Sequence, residues 1–162
     1  KHLKRADILV FTKTNITNPS PYLMKVSKGL SLPIIKSHIK ASDTLYNENK
    51  PVPVSKNKRT LAVSALGDHR GFHKTLEEVG LAVVEKITFL DHHDYVKKDI
   101  DKIIDKAETN NVDIIVTTEK DLVKLKKYNF GEHELFSLPI QFKIESKSEK
   151  ELFNYIEKSI SL

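Results

Sequence analysis

The sequence of 162 residues predicts an α/β fold, a three-layer α/β/α sandwich built around a mostly parallel sheet. Two observations predict it. Short apolar runs, typical of strands that are buried on both faces, alternate along the chain with amphipathic stretches of helical period. Strands that alternate with helices form βαβ units, and such units build parallel sheets. No apolar run approaches the roughly 18 residues of a membrane-spanning helix.

The first 41 residues predict one βαβ unit. Residues 7–12 contain a continuous apolar run, which indicates a buried strand. Pro21 is suited to the start of a helix because its fixed φ matches the first helical position. Residues 32–39 predict a second strand. Residues 42–58 differ in composition, and two prolines in three residues favour an extended segment, so we expect a linker or an edge ribbon there.

Residues 59–162 predict a second α/β lobe. Predicted strands cover residues 61–66, 81–89, 113–117, 135–138 and 140–144. Amphipathic helices are expected after the first three of these strands. Ser148 and Glu151 have the spacing of a capping box and predict the start of a last helix. The expected organisation is therefore 1–41 as a βαβ unit, 42–58 as a linker or ribbon, and 59–162 as a C-terminal α/β lobe.

The composition restricts the possible function classes. The formal net charge is +5, but only three of the 27 basic residues are arginines, which are the residues that read phosphates and base edges with a rigid fork. We therefore expect a solvated lysine surface and no nucleic-acid partner. With no cysteine, disulfides and thiolate metal sites are excluded. None of the five glycines lies in a phosphate-binding P-loop.

Polar side chains follow three of the predicted strands, in the turns at 67–71, 91–94 and 117–121. Because the carboxyl ends of parallel strands meet at one edge of a sheet, we expect the three turns to lie together, where open α/β folds place their chemistry. The second turn contains His92 and His93 between two aspartates. Two adjacent imidazoles are hard to explain as packing, and histidine changes its charge easily near neutral pH.

The other two turns have simpler local interpretations. Thr118 has the position of a helix N-cap, with Asp121 three residues further along. Asp68 and His69 fit a solvated turn. For both turns the structural interpretation competes with a role in a binding site.

A metal site is an alternative interpretation of Asp91, His92 and His93, because Asp-His-His is also a signature of metal-dependent phosphoesterases. Such sites need further carboxylates that converge on the ions. The available pair, Asp99 and Asp101, would point about 200° apart on a helix. We therefore predict no metal ligands. A second alternative, from the excess of lysine, is a non-catalytic module that binds anionic lipid or nucleic acid.

Taken together, four groups of residues resemble a known family. They are Arg5-Ala6-Asp7 with Thr12-Lys13, Gly67 with Phe72, Asp91-His92-His93 with Tyr95, and Thr118-Glu119-Lys120-Asp121 with Val123-Lys124-Leu125. In this order and spacing the chain resembles the C-terminal half of tetraacyldisaccharide 4′-kinase, the lipid A 4′-kinase of Gram-negative bacteria. It departs from the family pattern at His73, Asp94 and Val96, where a phenylalanine, a proline and a Ser or Thr cap are common.

The resemblance implies an ATP-dependent kinase (transferase) that moves the γ-phosphate of ATP to the 4′-hydroxyl of the lipid A disaccharide precursor, in lipopolysaccharide biosynthesis. It implies a P-loop-NTPase-like lobe that lacks the P-loop, and it makes residues 1–41 the end of the N-terminal catalytic lobe. ATP and Mg²⁺ would be bound mainly by the N-terminal half, which this sequence does not contain. We therefore expect the chain alone to be inactive. The expected partners are the lipid precursor, the N-terminal P-loop lobe and the cytoplasmic face of the inner membrane, where the enzyme would be peripheral.

The resemblance also implies site residues. In the family a histidine of the Asp-His-His motif lies next to a catalytic aspartate of the N-terminal lobe. We therefore expect His92 or His93 to be catalytic, with Asp91 orienting the ring; the sequence does not separate the two histidines. The predicted residues of a substrate or nucleotide cleft are Thr118, Glu119, Lys120 and Asp121.

Overall fold

The structure is a computed structural model, which describes residues 2–47 and 50–160. After a 3₁₀ turn at His2–Arg5, the helices are α1 (Pro21–Gly29), α2 (His69–Glu78), α3 (Lys97–Thr109), α4 (Glu119–Leu125) and α5 (Ser146–Ile160). The strands are β1 (Leu9–Phe11), β2 (Ile34–Ala41), β3 (Thr44–Asn47), β4 (Lys50–Pro53), β5 (Arg59–Ser64), β6 (Ala82–Thr88), β7 (Ile114–Thr117), β8 (Glu134–Ser137) and β9 (Ile140–Ile144). Over these ranges no helix is both long and apolar enough to cross a membrane.

The chain divides into two compact units. One contains the residues up to Lys40 together with those from Ile140 onward, and the other is Ala41–Pro139. In the first unit, β2 lies between β1 and β9, and β1 runs parallel to β2. The last strand and helix thus group with the first 40 residues, whereas the sequence predicted one lobe over 59–162. How these units correspond to the lobes of a longer protein stays a prediction.

The last helix begins earlier than the sequence predicted. It starts at Ser146, so Ser148 lies inside its first turn and is not the N-cap of a capping box. The hydroxyl of Ser148 instead accepts a hydrogen bond from the backbone N–H of Lys36 in β2, at 3.1 Å. The predicted capping box is therefore wrong, because a backbone donor 112 residues away in the chain uses the serine oxygen.

The second unit contains a six-stranded sheet in the order β4-β3-β8-β7-β5-β6. The strands β8, β7, β5 and β6 are mutually parallel, whereas β3 is antiparallel to both of its neighbours. The proline-rich segment forms the β3–β4 hairpin at one edge, with Pro51 and Pro53 both in the outermost strand. The sheet is mostly parallel, as predicted.

Helices cover both faces of this sheet. Leu61 and Val63 of β5 pack in one apolar core with Ile103 of α3. Ala62, between them in sequence, points to the opposite face and packs in a second core with Leu76 of α2. Alternate residues of a strand face opposite sides of the sheet, so a strand that is buried on both faces needs a helix layer on each side. The three-layer α/β/α prediction is confirmed.

Candidate functional site

Three turns meet at one edge of the large sheet. The strands β7, β5 and β6 are adjacent and parallel, so the turns that follow them lie side by side at their carboxyl ends. This is the arrangement that the sequence predicted for the polar turns. The side chains in the three turns are nevertheless used in different ways.

The turn after β7 is closed by buried hydrogen bonds. Thr118 is the N-cap of α4, and its hydroxyl accepts a hydrogen bond from the backbone N–H of Asp121 at 3.1 Å. Asp121 is only 1% exposed, and its Oδ2 accepts hydrogen bonds from the backbone N–H of Ala65 (3.0 Å) and from the Thr118 hydroxyl (2.8 Å). The predicted N-cap is confirmed, and the carboxylate also joins the start of α4 to the end of β5. A cleft role for these two residues stays a prediction.

The turn after β6 presents His92 to solvent. Its side chain is 77% exposed, and its Nε2 lies 3.8 Å from Oδ2 of Asp91, which is beyond hydrogen-bond distance. The backbone of His92 has a φ of +62°, in the left-handed region that residues other than glycine rarely adopt. Its N–H donates to Oδ1 of Asp91 at 3.0 Å. The imidazole ring of His92 is thus exposed, while a hydrogen bond to Asp91 restrains the backbone that carries it.

His93 is held in place by its own unit. Its ring stacks on Phe89, with the ring centroids 4.6 Å apart and the planes 17° from parallel. Its Nε2 lies 2.8 Å from Oδ2 of Asp99, and since a carboxylate can only accept, Nε2 carries the shared proton. The same oxygen accepts from the N–H of Val96, the N-cap residue of α3, at 2.9 Å. The structure therefore separates two histidines that the sequence left equivalent.

Two lysines of α4 bind the turn after β6. Nζ of Lys120 donates to Oδ1 of Asp91 at 3.1 Å. Nζ of Lys124 donates to Oδ1 of Asp94 (2.8 Å) and to the backbone carbonyls of His92 (3.1 Å) and His93 (2.8 Å). Residues four apart lie on the same face of a helix, so one face of α4 reaches the whole turn. The Asp-His-His and Thr-Glu-Lys-Asp motifs are therefore one structural unit.

Sequence reasoning missed two members of this unit. Lys124 was only part of a matched motif, although its i, i+4 spacing from Lys120 on a predicted helix was a usable signal. Asp99 was considered only as a metal ligand, although an aspartate in the first turn of a helix is a common acceptor for free backbone N–H groups.

The carboxylates of this turn have lowered pKa values. The hydrogen bond from Lys120 lowers the pKa of Asp91, and that from Lys124 lowers the pKa of Asp94. Burial raises the pKa of Asp99, but the hydrogen bonds from the Val96 amide and from His93 outweigh it and leave that pKa below its ordinary value. All three groups are ionised at neutral pH, so they can accept hydrogen bonds but cannot serve as general acids.

Further polar side chains near the site belong to Tyr95 and to the turn after β5. Tyr95 is buried, and this burial, followed by the nearby Asp121 charge, raises the pKa of its hydroxyl. In the turn after β5, Asp68 caps α2 by accepting from the N–H of Gly71 at 3.0 Å. A hydrogen bond also joins Ser64 Oγ and His69 Nδ1 at 3.0 Å. Local hydrogen bonds therefore close the turn after β5, whereas the sequence predicted a solvated turn there.

Glu119 and Lys120 are exposed, but they face different surroundings. Lys120 reaches Asp91, whereas Glu119 lines a groove of about 650 Å³ with residues of β3, β8 and α4. The other residues that line it are Tyr46, Leu122, Val123, Lys126, Lys127 and Ser137. Across residues 2–47 and 50–160, no three His, Asp or Glu side chains converge as ligands for a metal ion.

Comparisons with known proteins identify the family of this chain. The model of the family described as tetraacyldisaccharide-1-P 4′-kinase matches residues 1–160. A tetraacyldisaccharide 4′-kinase of Pelagibacter ubique is 34% identical over 155 residues, covering 90% of this chain and 48% of the relative. One from Aquifex aeolicus is 31% identical over 147 residues, covering 90% of this chain and 40% of the relative.

A solved structure is also similar. The crystal structure of LpxK from Aquifex aeolicus in complex with ATP matches with a TM-score of 0.58 and 27% identity, covering 96% of this chain and 43% of that one. The matches lie in the C-terminal portion of the relatives, and this chain spans less than half of their length. With a family model that matches nearly the whole sequence, the chain belongs to the tetraacyldisaccharide-1-P 4′-kinase family.

Proposed function

We propose that this chain is the C-terminal part of an ATP-dependent kinase that phosphorylates the 4′-hydroxyl of the lipid A disaccharide precursor. Family membership and the match to an ATP-bound relative over 96% of the chain support this proposal. Because the chain spans less than half of its relatives, the activity belongs to the complete protein, and the chain alone is expected to be inactive. ATP and Mg²⁺ would be held mainly by the N-terminal half.

The observation that carries the proposal is the exposed ring of His92 on a turn fixed by two lysines. An imidazole that acts on a partner across a cleft must be accessible and held in a defined position. His92 meets both conditions, whereas His93 is occupied by Asp99 and stacked on Phe89. We therefore assign the catalytic role to His92, and a supporting role in the turn to His93.

In the proposed reaction the 4′-oxygen forms a bond to the γ-phosphorus while the bond to the β-phosphate oxygen breaks, and the hydroxyl proton goes to a carboxylate of the N-terminal half. His92 would hydrogen-bond this carboxylate and orient it toward the hydroxyl. Asp91, with Oδ2 3.8 Å from the His92 ring, would favour the required orientation of the imidazole. Phosphoryl transfer depends mostly on positioning and charge, so one correctly placed ring has a large effect.

The predicted cleft residues divide into two groups. Thr118 and Asp121 would shape the cleft indirectly, since both are hydrogen-bonded in the cap of α4. Lys120 is exposed and would supply positive charge next to His92 for an anionic substrate group. The lysine-rich surface would also favour peripheral binding at the cytoplasmic face of the inner membrane, where anionic lipids attract cations.

The assignment of His92 is tested in the complete enzyme. We expect His92→Ala to lower kcat by about 100-fold, the loss that a misplaced reacting group can cause, because the carboxylate that takes the proton would lose its orienting partner. The control, His93→Ala, removes a neighbouring imidazole and is expected to reduce kcat less and to lower thermal stability, because it loses the stack on Phe89. A kcat for His92→Ala within about tenfold of the parent would refute the catalytic assignment.

The kinase proposal itself has an independent test. The reading frame upstream of Lys1 is expected to encode a G-x-x-x-x-G-K-[ST] loop, whose backbone N–H groups and lysine bind the phosphates of ATP. A complete protein that lacks such a loop would refute the kinase proposal. This test does not depend on any histidine variant.

A further inference from the structure

Lys124 makes an unusual set of contacts for a partly exposed lysine. Its ammonium group has three N–H donors, and three acceptors surround it within 3.1 Å. Two of them are the consecutive backbone carbonyls of His92 and His93, and the third is the carboxylate of Asp94. With all three donors used inside the protein, Lys124 has none left for a phosphate group of a substrate.

The contacts of Lys124 coincide with the strained residue of the turn. A residue other than glycine in the left-handed conformation is energetically unfavourable and persists only where its surroundings enforce it. At His92 the φ of +62° is enforced from two sides. The Asp91 carboxylate holds the N–H of His92, while the ammonium of Lys124 holds its carbonyl and the next one.

We infer that Lys124 is a positioning residue for His92: its ammonium group, bound to the carbonyls of His92 and His93 and to the carboxylate of Asp94, holds the turn in the left-handed conformation that directs the His92 ring outward. The inference rests on the proposed function of His92. Lys124 then contributes to phosphoryl transfer without touching a reacting atom.

Lys120 provides an internal contrast. It donates to a single carboxylate oxygen, on the side chain of Asp91, and its contact does not involve the backbone of the turn. Loss of Lys120 would change the local charge, whereas loss of Lys124 would release two carbonyls that define the backbone conformation. The two lysines therefore differ in kind, although they lie one helical turn apart.

The test is a double-mutant cycle in the complete enzyme. We expect Lys124→Met to lower kcat by roughly 10- to 100-fold, as a displacement of about 1 Å does, with the KM values for ATP and the lipid substrate nearly unchanged. In the His92→Ala background the same substitution is expected to change kcat by less than about twofold, because residues that act as one unit are not additive. The control is Lys74→Met, which removes an exposed lysine that pairs with Glu78 on α2 and is expected to keep the parental activity.

The outcomes separate the inference from the proposed function. If His92→Ala leaves kcat unchanged, the proposed function of His92 fails and the inference fails with it. If His92→Ala is damaging but Lys124→Met is not, only the inference fails. A Lys124→Met loss that persists undiminished in the His92→Ala background, or one that appears in KM, would mean direct action on the substrate and would also overturn it.

A second variant covers the case in which Lys124→Met does not fold. Lys124→Gln keeps a shorter side chain with two N–H donors, and we expect a kcat between those of the parent and of His92→Ala. In ¹H–¹³C spectra of histidine-labelled protein, the Lys124 variants should show a His92 signal that differs from the parent. The signals of His69 and His73, on α2, should be the same as in the parent. An unchanged His92 signal together with the parental kcat in Lys124→Gln would overturn the inference.

Discussion

The turns after β6 and β7 lie at the same edge of the sheet, after the two strands that flank β5, and each has aspartate at or near the start of a helix. After β7, Asp121 is buried and its carboxylate accepts hydrogen bonds from Ala65 and Thr118 within the core. After β6, Asp91 and Asp94 are at the surface and are bound by lysines that α4 supplies. The turn after β7 thus contributes to the hydrogen-bonded core, whereas lysines of α4 hold the turn after β6 from the surface.

Similar residues have different roles in the two turns because their hydrogen-bond partners differ. A carboxylate that bonds inward stabilises the fold, and its loss leaves buried donors unpaired. A carboxylate that bonds to a lysine at the surface contributes little to stability but fixes the position of its neighbours. His92 is available because the groups around it are already satisfied. Three measurements, given in order of decreasing expected change, test this contrast.

The largest effect is expected for Asp121→Ala. Removing the buried carboxylate leaves the N–H of Ala65 and the hydroxyl of Thr118 without their acceptor, so we expect a loss of about 3 kcal/mol in the free energy of unfolding. Urea denaturation of the chain measures it. The matched control is Asp94→Ala, whose side chain is 94% exposed and whose midpoint should not change measurably. Equal midpoints for the two variants would contradict the contrast.

A smaller loss is expected for Thr118→Ala. The N-cap hydroxyl satisfies the backbone N–H of Asp121, and loss of such a cap costs about 1 kcal/mol. Thr118→Ser keeps the oxygen and should retain most of the stability, as measured in the same urea experiment. If both substitutions cost the same, packing of the threonine methyl group would be responsible, and the cap would not.

The smallest effect concerns acid pH. The pKa values of Asp91, Asp94 and Asp99 are lowered in the folded chain, so the unfolded chain binds more protons below the ordinary value of 3.8. The contribution of these three carboxylates to stability is therefore complete above pH 3.8. It is lost as the pH falls through their lowered pKa values. Backbone amide signals of His92 and His93 should report this loss in an NMR titration.

Asp99→Asn provides the comparison for this titration. It removes one of the three titrating groups, so the signal of His93 should change less with pH in the variant than in the parent. If the amide signals of the turn after β6 stop changing before the pH falls to 3.8, the contacts described do not hold the carboxylates. The interpretation of this turn would then be wrong.

The sequence was sufficient for the parts of the fold that depend on local pattern. The apolar runs of β5 and β7 and the Thr118 cap were predicted because strand burial and helix capping leave direct traces in neighbouring residues. The partners of β3 and β9 were not predicted, since β3 joins β8, which is about 90 residues away, and β9 joins the sheet of β2. Ser148 was misassigned for the same reason, because its donor is distant in sequence.

The site was predictable in location but not in detail. Parallel topology placed the three turns together, and the motif drew attention to the two histidines. Nothing in adjacent residues distinguishes His92 from His93, because the distinction arises from a left-handed backbone at one and an Asp99 acceptor at the other. The role of Lys124 likewise depends on carbonyls that only the folded chain brings within its reach.

The prolines of the β3–β4 hairpin disfavour aggregation through one edge of the six-stranded sheet. Pro51 and Pro53 occupy the outermost strand and lack N–H groups. Prolines in an edge strand are tolerated where the missing donors would have faced outward, so this border of the sheet offers an incoming strand little to pair with. Copies of the chain are thereby discouraged from joining sheet to sheet at this border, a common first step toward amyloid-like assembly.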